Sequence, residues 1–241
     1  MSLYLIALLA IAIAPGIAIA IYIWWRDKYE REPPITVAIS SILGMFAIVP
    51  AIMLELTGEK IFGKMNGANL FSAGFHAFFI VGFSEEVCKL AALMIYAYRS
   101  REFNERIDGI VYAVMVSMGF ATLENVFYAI DGGISTALMR MFLSVPAHAT
   151  FGVIMGFFVG YGKENIVNAQ SSKEKQAGVL TIFVGLFFAS LFHGAYDFFL
   201  FIESIPLLAF GAVASLIVGI KLSLMAINHL SESSSDGRQW Q

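Results

Sequence analysis

Residues 70–98 read LFSAGFHAFFIVGFSEEVCKLAALMIYAY, an almost wholly apolar run with two adjacent glutamates, Glu85 and Glu86, near its middle. An acidic residue at the centre of a membrane helix costs roughly 2.5–3.5 kcal/mol, so a pair needs a partner or a task. Lys89 stands four residues after Glu85 and three after Glu86, on the same side of one helical turn. Adjacent helical residues differ in direction by about 100°. One glutamate is therefore expected to face a reacting water and the other to support it from the side.

The rest of the 241-residue chain agrees with a membrane setting. Hydrophobic residues make up 59% and charged residues 14%, against about 25% charged in an average soluble domain. Mean hydropathy is +0.77. The net charge of −3 and the lack of a long basic run give no sign of nucleic-acid binding. The single cysteine, Cys88, can form no internal disulfide.

Apolar runs long enough to cross a bilayer, about 20 residues, occupy 3–25, 35–56, 70–98, 107–130, 136–162, 178–202 and 205–228. The expectation is an all-α polytopic transmembrane bundle of about seven helices. It forms one domain over 1–230, followed by a polar, serine-rich cytosolic tail, 231–241, expected to be disordered. The first run lacks a basic n-region and reads as an anchor rather than a cleaved signal. Ten basic residues (Arg26, Lys28, Arg31, Arg99, Arg101, Arg106, Lys163, Lys173, Lys175, Arg238) flank one set of ends, and three (Lys60, Lys64, Arg140) flank the other. The positive-inside rule then places the N-terminus outside the cell membrane and the C-terminus in the cytosol. Gly152, Gly156 and Gly160, like Gly211, Ser215 and Gly219, form small-residue faces for helix packing. Pro50 and Pro146 are expected to kink their helices, and Asp108 reads as an N-cap. Glu55 and His76 lie toward helix ends and read as structural.

The remaining polar residues inside apolar runs are Glu124 and Asn125, His148, and His193 with Asp197. Counted from the cytosolic ends at about 1.5 Å per residue, these and the glutamate pair fall roughly 20–25 Å up. Four helices thus bring acids and imidazoles to one layer. A carboxylate in low dielectric can serve as a general base, and a histidine can stabilise the oxyanion of an attacked carbonyl. The same residue types could hold Zn²⁺. Neither Ser84 nor Cys88 has a base paired with it to make a nucleophile.

Five stretches, RDKYEREPP (26–34), SEEVCK (84–89), DGIVYAVMVSMGFATLENVFYA (108–129), SVPAH (144–148) and HGAYD (193–197), resemble, in order, the PrsW family of intramembrane proteases. That family is distantly similar to the CAAX prenyl endopeptidases and other glutamic-type membrane proteases. The resemblance implies an endopeptidase that cuts a membrane-protein substrate, such as a single-pass regulator. It places the double glutamate on Glu85 and Glu86 and the HxxxN/D motif on His193 and Asp197. One position departs from the CAAX-type pattern: FxxxH is here Phe120-x-x-x-Glu124 followed by Asn125, with His148 a replacement for the missing imidazole. The expected catalytic set is Glu85, Glu86, Glu124, Asn125, His148, His193 and Asp197, with Lys89 setting the charge of the acid pair. The water is activated either by glutamate alone, without a cofactor, or by a divalent metal held among Glu86, Glu124, His148, His193 and Asp197. Rival readings are a proton- or ion-coupled transporter, because intramembrane acids also form relays, and a catalytically silent relative that binds membrane proteins.

Overall fold

The structure, a computed structural model, describes residues 3–202, 207 and 209–234. It consists of α1 (Leu3–Arg26), α2 (Pro34–Phe62), α3 (Leu70–Phe75), a π-helical segment (His76–Gly82), α4 (Phe83–Ile95), α5 (Arg106–Phe142), α6 (Ser144–Val167), α7 (Ser172–Phe201) and α8 (Ala209–Ser234). The described residues contain no strand, as expected of an all-α chain. Five stretches are long and apolar enough to cross a membrane: Leu3–Arg26, Pro34–Phe62, Arg106–Val167, Ser172–Phe201 and Phe210–Glu232. These five stretches do not by themselves confirm the expected count of about seven helices. The 70–98 run is divided among α3, the π-helical segment and α4, and the runs at 107–130 and 136–162 fall within one 62-residue stretch. The last four helical residues of α8 begin the polar tail, whereas 235–241 lie outside the described residues, as do 203–206 at the start of the last expected span.

The centre of the bundle is α5 with α6, whose most apolar 18 residues are 67% buried, against 44% for those of α7 and 22–28% for those of α1, α2 and α8. The first half of α5 is buried without a break from Ile107 to Thr122, in contact with α1, α2 and α6. In lipid the drive for this packing is close van der Waals fit rather than expulsion of water. The glycine face of α6 supplies that fit, with Gly156 and Gly160 seated on the backbone of α5 around Gly109 and Arg106. Large apolar side chains such as Phe46, Phe71, Leu180 and Phe187 point outward, as surfaces bathed in acyl chains do.

Local backbone features at Gly133, Pro146 and Asp108 define the ends of α5 and α6. Within α5, Gly133 adopts φ 75°, ψ −166°, a conformation open only to glycine, and the chain reverses there. Pro146 is the third residue of α6, in a first turn whose N–H groups have no helical partner, so it starts a helix instead of kinking one. Pro50 does lie inside its helix, α2. Asp108 is not the N-cap of α5. Glu105 holds that position, and Asp108 answers it three residues on in a capping box, accepting the Glu105 and Asn104 N–H groups at 2.6 and 2.8 Å.

Candidate active site

The glutamate pair opens α4, directly after the π-helical segment. A π-turn adds a residue to the helical repeat and shifts the facing of everything after it. Here the shifted helix presses on α7, where Gly194 meets the Phe78 backbone so closely that a Cβ at Gly194 would lie 2.7 Å from the Phe78 Cα. This approach sets His193 against the glutamates. His193 Nδ1 lies 2.9 Å from Glu86 Oε1, and its Nε2 is 3.3 Å from Asp197 Oδ2 and 3.8 Å from Glu85 Oε2. Phe151 stacks on the imidazole at 4.7 Å, fixing the plane of the ring.

Lys89 joins the groups. Its Nζ donates to Glu85 Oε2 at 3.0 Å and Glu86 Oε1 at 2.7 Å, and lies 3.0 Å from His148 Nδ1. An ammonium has only donors, so His148 Nδ1 accepts and its Nε2–H donates to Glu124 Oε2, at 2.9 Å. Glu124 is also paired at 2.7 Å with Arg140 Nη2. Lys89 is 1% exposed and Glu86 0%, so these contacts lie in a medium that leaves little charge screened.

Glu85, Glu124, His148, His193 and Asp197 line one cavity of about 520 Å³, together with Glu55, Arg140, Ser144 and Tyr196. Glu85 lies on the cavity wall, and Glu86 is buried behind it. Asn125 is not brought to the cavity. Its Nδ2–H donates to the Ala12 carbonyl of α1 at 2.8 Å and its Oδ1 accepts from Arg140 Nε at 3.1 Å, which commits the amide to positioning. His76 bonds the Ser72 and Gly63 carbonyl oxygens, both at 2.9 Å, away from this site. Cys88 is a buried free thiol.

Sequence reasoning missed Arg140, Tyr196, Ser144 and Glu55. Arg140 carried a readable signal, because an arginine in the apolar run 136–162 costs as much as an acid would.

Glu85, Glu86, His148 and His193 each offer a donor atom within 4.8 Å of the others. Glu86 Oε2 is buried with no hydrogen-bond partner. Carboxylate oxygen and imidazole nitrogen are the donors that zinc takes from such residues, so this set fits a divalent metal.

Comparison with known proteins bears on the same residues. The family model described as "PrsW family intramembrane metalloprotease" matches residues 32–225, which include every residue of the cavity. The chain is 40% identical over 194 residues to Protease PrsW of Bacillus subtilis (strain 168), covering 80% of this chain and 83% of the relative. It is 34% identical over 196 residues to Protease PrsW of Geobacillus kaustophilus, covering 80% of each. With Protease PrsW of Clostridioides difficile it shares 32% identity over 201 residues, covering 81% and 80% respectively. No solved structure shows a significant match. By the family match and these relatives, the chain belongs to the PrsW family of intramembrane proteases.

Proposed function

We propose that this peptidase hydrolyses a peptide bond of a membrane-protein substrate in the Glu85-lined cavity, with Glu85 as the general base. The observation that carries the reading is the division of labour in the acid pair: Glu85 reaches the cavity, while Glu86 is buried behind it and holds Lys89 and His193. Glu85 takes a proton from a water in the cavity, and the water oxygen attacks the scissile carbonyl carbon. His193, held at Nδ1 by Glu86, turns its Nε2–H from the 3.3 Å contact with Asp197 to the developing oxyanion. The C–N bond then breaks, the proton held by Glu85 passes to the leaving amine, and a new carboxyl terminus remains. Lys89 keeps the buried pair charged and aligned, and His148 holds Glu124, which anchors Arg140 at the wall of the cavity.

Glu86, His148 and His193 are the residues that would hold a divalent metal such as Zn²⁺, with the His148 Nδ1 lone pair released from Lys89. That metal would supply a Lewis acid to polarise the carbonyl and to make water a better nucleophile. Glu85 stands beside these ligands, free to act as base. Glu124 and Asp197 support the imidazoles from outside, as carboxylates do for metal-binding histidines.

The chain crosses the cell membrane seven times in this reading, with α3, the π-helical segment and α4 together making one passage and the 62-residue stretch making two. With Arg140 counted in the site rather than at a helix end, ten basic residues flank one set of ends and two the other, which supports an N-terminus outside and a C-terminus in the cytosol. By the resemblance, the substrate is another membrane protein, such as a single-pass regulator cut on its outer side.

The test uses a Bacillus subtilis strain lacking its own Protease PrsW, expressing either this chain or its Glu85→Gln variant. Mass spectrometry of new N-termini in the membrane fraction is expected to find cleavage products with the wild-type chain alone. Identical terminal peptides in both strains would overturn the assignment, and proton flux in liposomes without any cleavage would favour a relay.

A further inference from the structure

A second group of acids lies far from the cavity. The loop at 27–33 joins α1 to α2 and folds against the start of α5, bringing together Asp27, Glu32 and Asp108. One carboxylate oxygen from each falls within 4.8 Å of the others, and the three residues are 2%, 3% and 1% exposed. Asp108 precedes Glu124 by 16 residues on the same helix, about 24 Å at the helical rise, so this group is no part of the catalytic cavity.

Most of the loop is satisfied. Trp24 Nε1–H donates to the Glu32 carbonyl at 2.8 Å, Arg31 Nε–H to the Asp27 carbonyl at 3.3 Å, and the Tyr112 hydroxyl to the Glu32 carboxylate. The exception is Asp27 Oδ2, which is buried with no hydrogen-bond partner. Positive charge is also short. Lys163 lies within electrostatic reach of Asp108 and Glu32, yet its ammonium donates to the carbonyls of Tyr98 at 2.8 Å and Phe103 at 2.6 Å. Arg31 meets the Asp27 backbone, not its carboxylate. Burial and then the neighbouring Glu105 push the Asp27 carboxyl up to about 7, and burial pushes Glu32 up to about 7. The three buried carboxylates have Arg31 and Lys163 within electrostatic reach but no direct ion pair, and a buried acid with an orphaned oxygen is costly.

We infer that Asp27, Glu32 and Asp108 bind a hard divalent cation, Mg²⁺ or Ca²⁺, which fastens the α1–α2 loop to the start of α5. The donors are all oxygen, with no histidine or cysteine among them, which selects against zinc and copper. Water would complete such a shell in either case. Mg²⁺ demands near-ideal octahedral geometry and keeps more of its water, whereas Ca²⁺ accepts six to eight oxygens with looser geometry.

The test uses the full-length chain purified in detergent, stripped with EDTA and dialysed, then titrated separately with MgCl2, CaCl2 and ZnCl2 while thermal unfolding is followed. A saturable rise in Tm is expected with Mg²⁺ or Ca²⁺, about 5–10 °C at one hundred times Kd, and whichever acts at the lower concentration identifies the ion. Asp27→Asn and Glu32→Gln remove the rise, whereas Glu85→Gln retains it. Because Asp27→Asn also relieves an uncompensated carboxylate, its cation-free Tm is expected to equal or exceed that of the wild type, which separates a lost ligand from a misfolded loop. Calorimetric titration of the wild type gives the second readout. No heat and no Tm response to either ion, or a response undiminished in both loop variants, would overturn the inference.

Discussion

Replacing Lys89 with methionine removes the ammonium that hydrogen-bonds both glutamates and His148. Its ammonium lies 2.7 and 3.0 Å from two carboxylates and 4.3 Å from the centre of the Phe120 ring, and it is 1% exposed. Methionine fills nearly the same space but leaves two acids side by side with no cation between them. Breaking a buried ion pair by deleting one partner costs about 3–5 kcal/mol. For a chain of this size each kcal/mol moves Tm by about 2–4 °C, so Lys89→Met is expected to lower Tm by about 6–20 °C. Tryptophan fluorescence during thermal unfolding in detergent would measure it. Glu86→Gln with Lys89→Met removes one of the stranded charges and should recover part of the loss, giving a coupling well beyond additivity in a double-mutant cycle. A Tm for Lys89→Met within about 2 °C of the wild type would refute the reasoning, because the acids would then be neutral or otherwise compensated.

Other variants probe separate contacts. Glu86→Gln should lower cleavage by about 10²-fold, the scale of a displaced acid–base partner, through loss of its grip on His193, while Ser84→Ala and Cys88→Ala should keep most of the wild-type rate in the same peptide assay. Gly194→Val must push the Phe78 backbone away from α7 and should cost about 1–3 kcal/mol by overpacking, read as a lowered Tm together with lowered cleavage. Treatment with 1,10-phenanthroline should abolish cleavage and added Zn²⁺ should restore it; full activity after verified removal of metal would leave Glu85 to activate water unaided.

Much of the site was legible because charge inside an apolar run is conspicuous. Glu85, Glu86 and Lys89 stand out at helical spacing, and His148, His193 and Asp197 interrupt runs that lipid would otherwise select to be apolar. What the sequence concealed depends on backbone geometry. The π-helical segment at His76–Gly82 is a change of hydrogen-bond register, and no residue pattern marked it, so 70–98 read as one regular helix. Gly133 was an ordinary glycine until its positive φ sent the chain back and delivered Arg140 to Glu124. Asn125 reads as catalytic from its place beside Glu124, but adjacent helical positions diverge by about 100°, and its amide turns to α1. The loop acids Asp27 and Glu32 gave no sign of burial, since a charged loop between two apolar runs is ordinarily solvated.

The rate at which purified protein in liposomes cleaves a membrane substrate, compared between the wild type and Glu85→Gln, bears most directly on the role given to Glu85. Glutamine keeps the shape of the side chain and one acceptor for Lys89 while removing the base. The expected result is a loss of at least about 10²-fold in rate, with the variant still folded by its thermal unfolding. An unchanged rate for a folded Glu85→Gln protein would contradict the account.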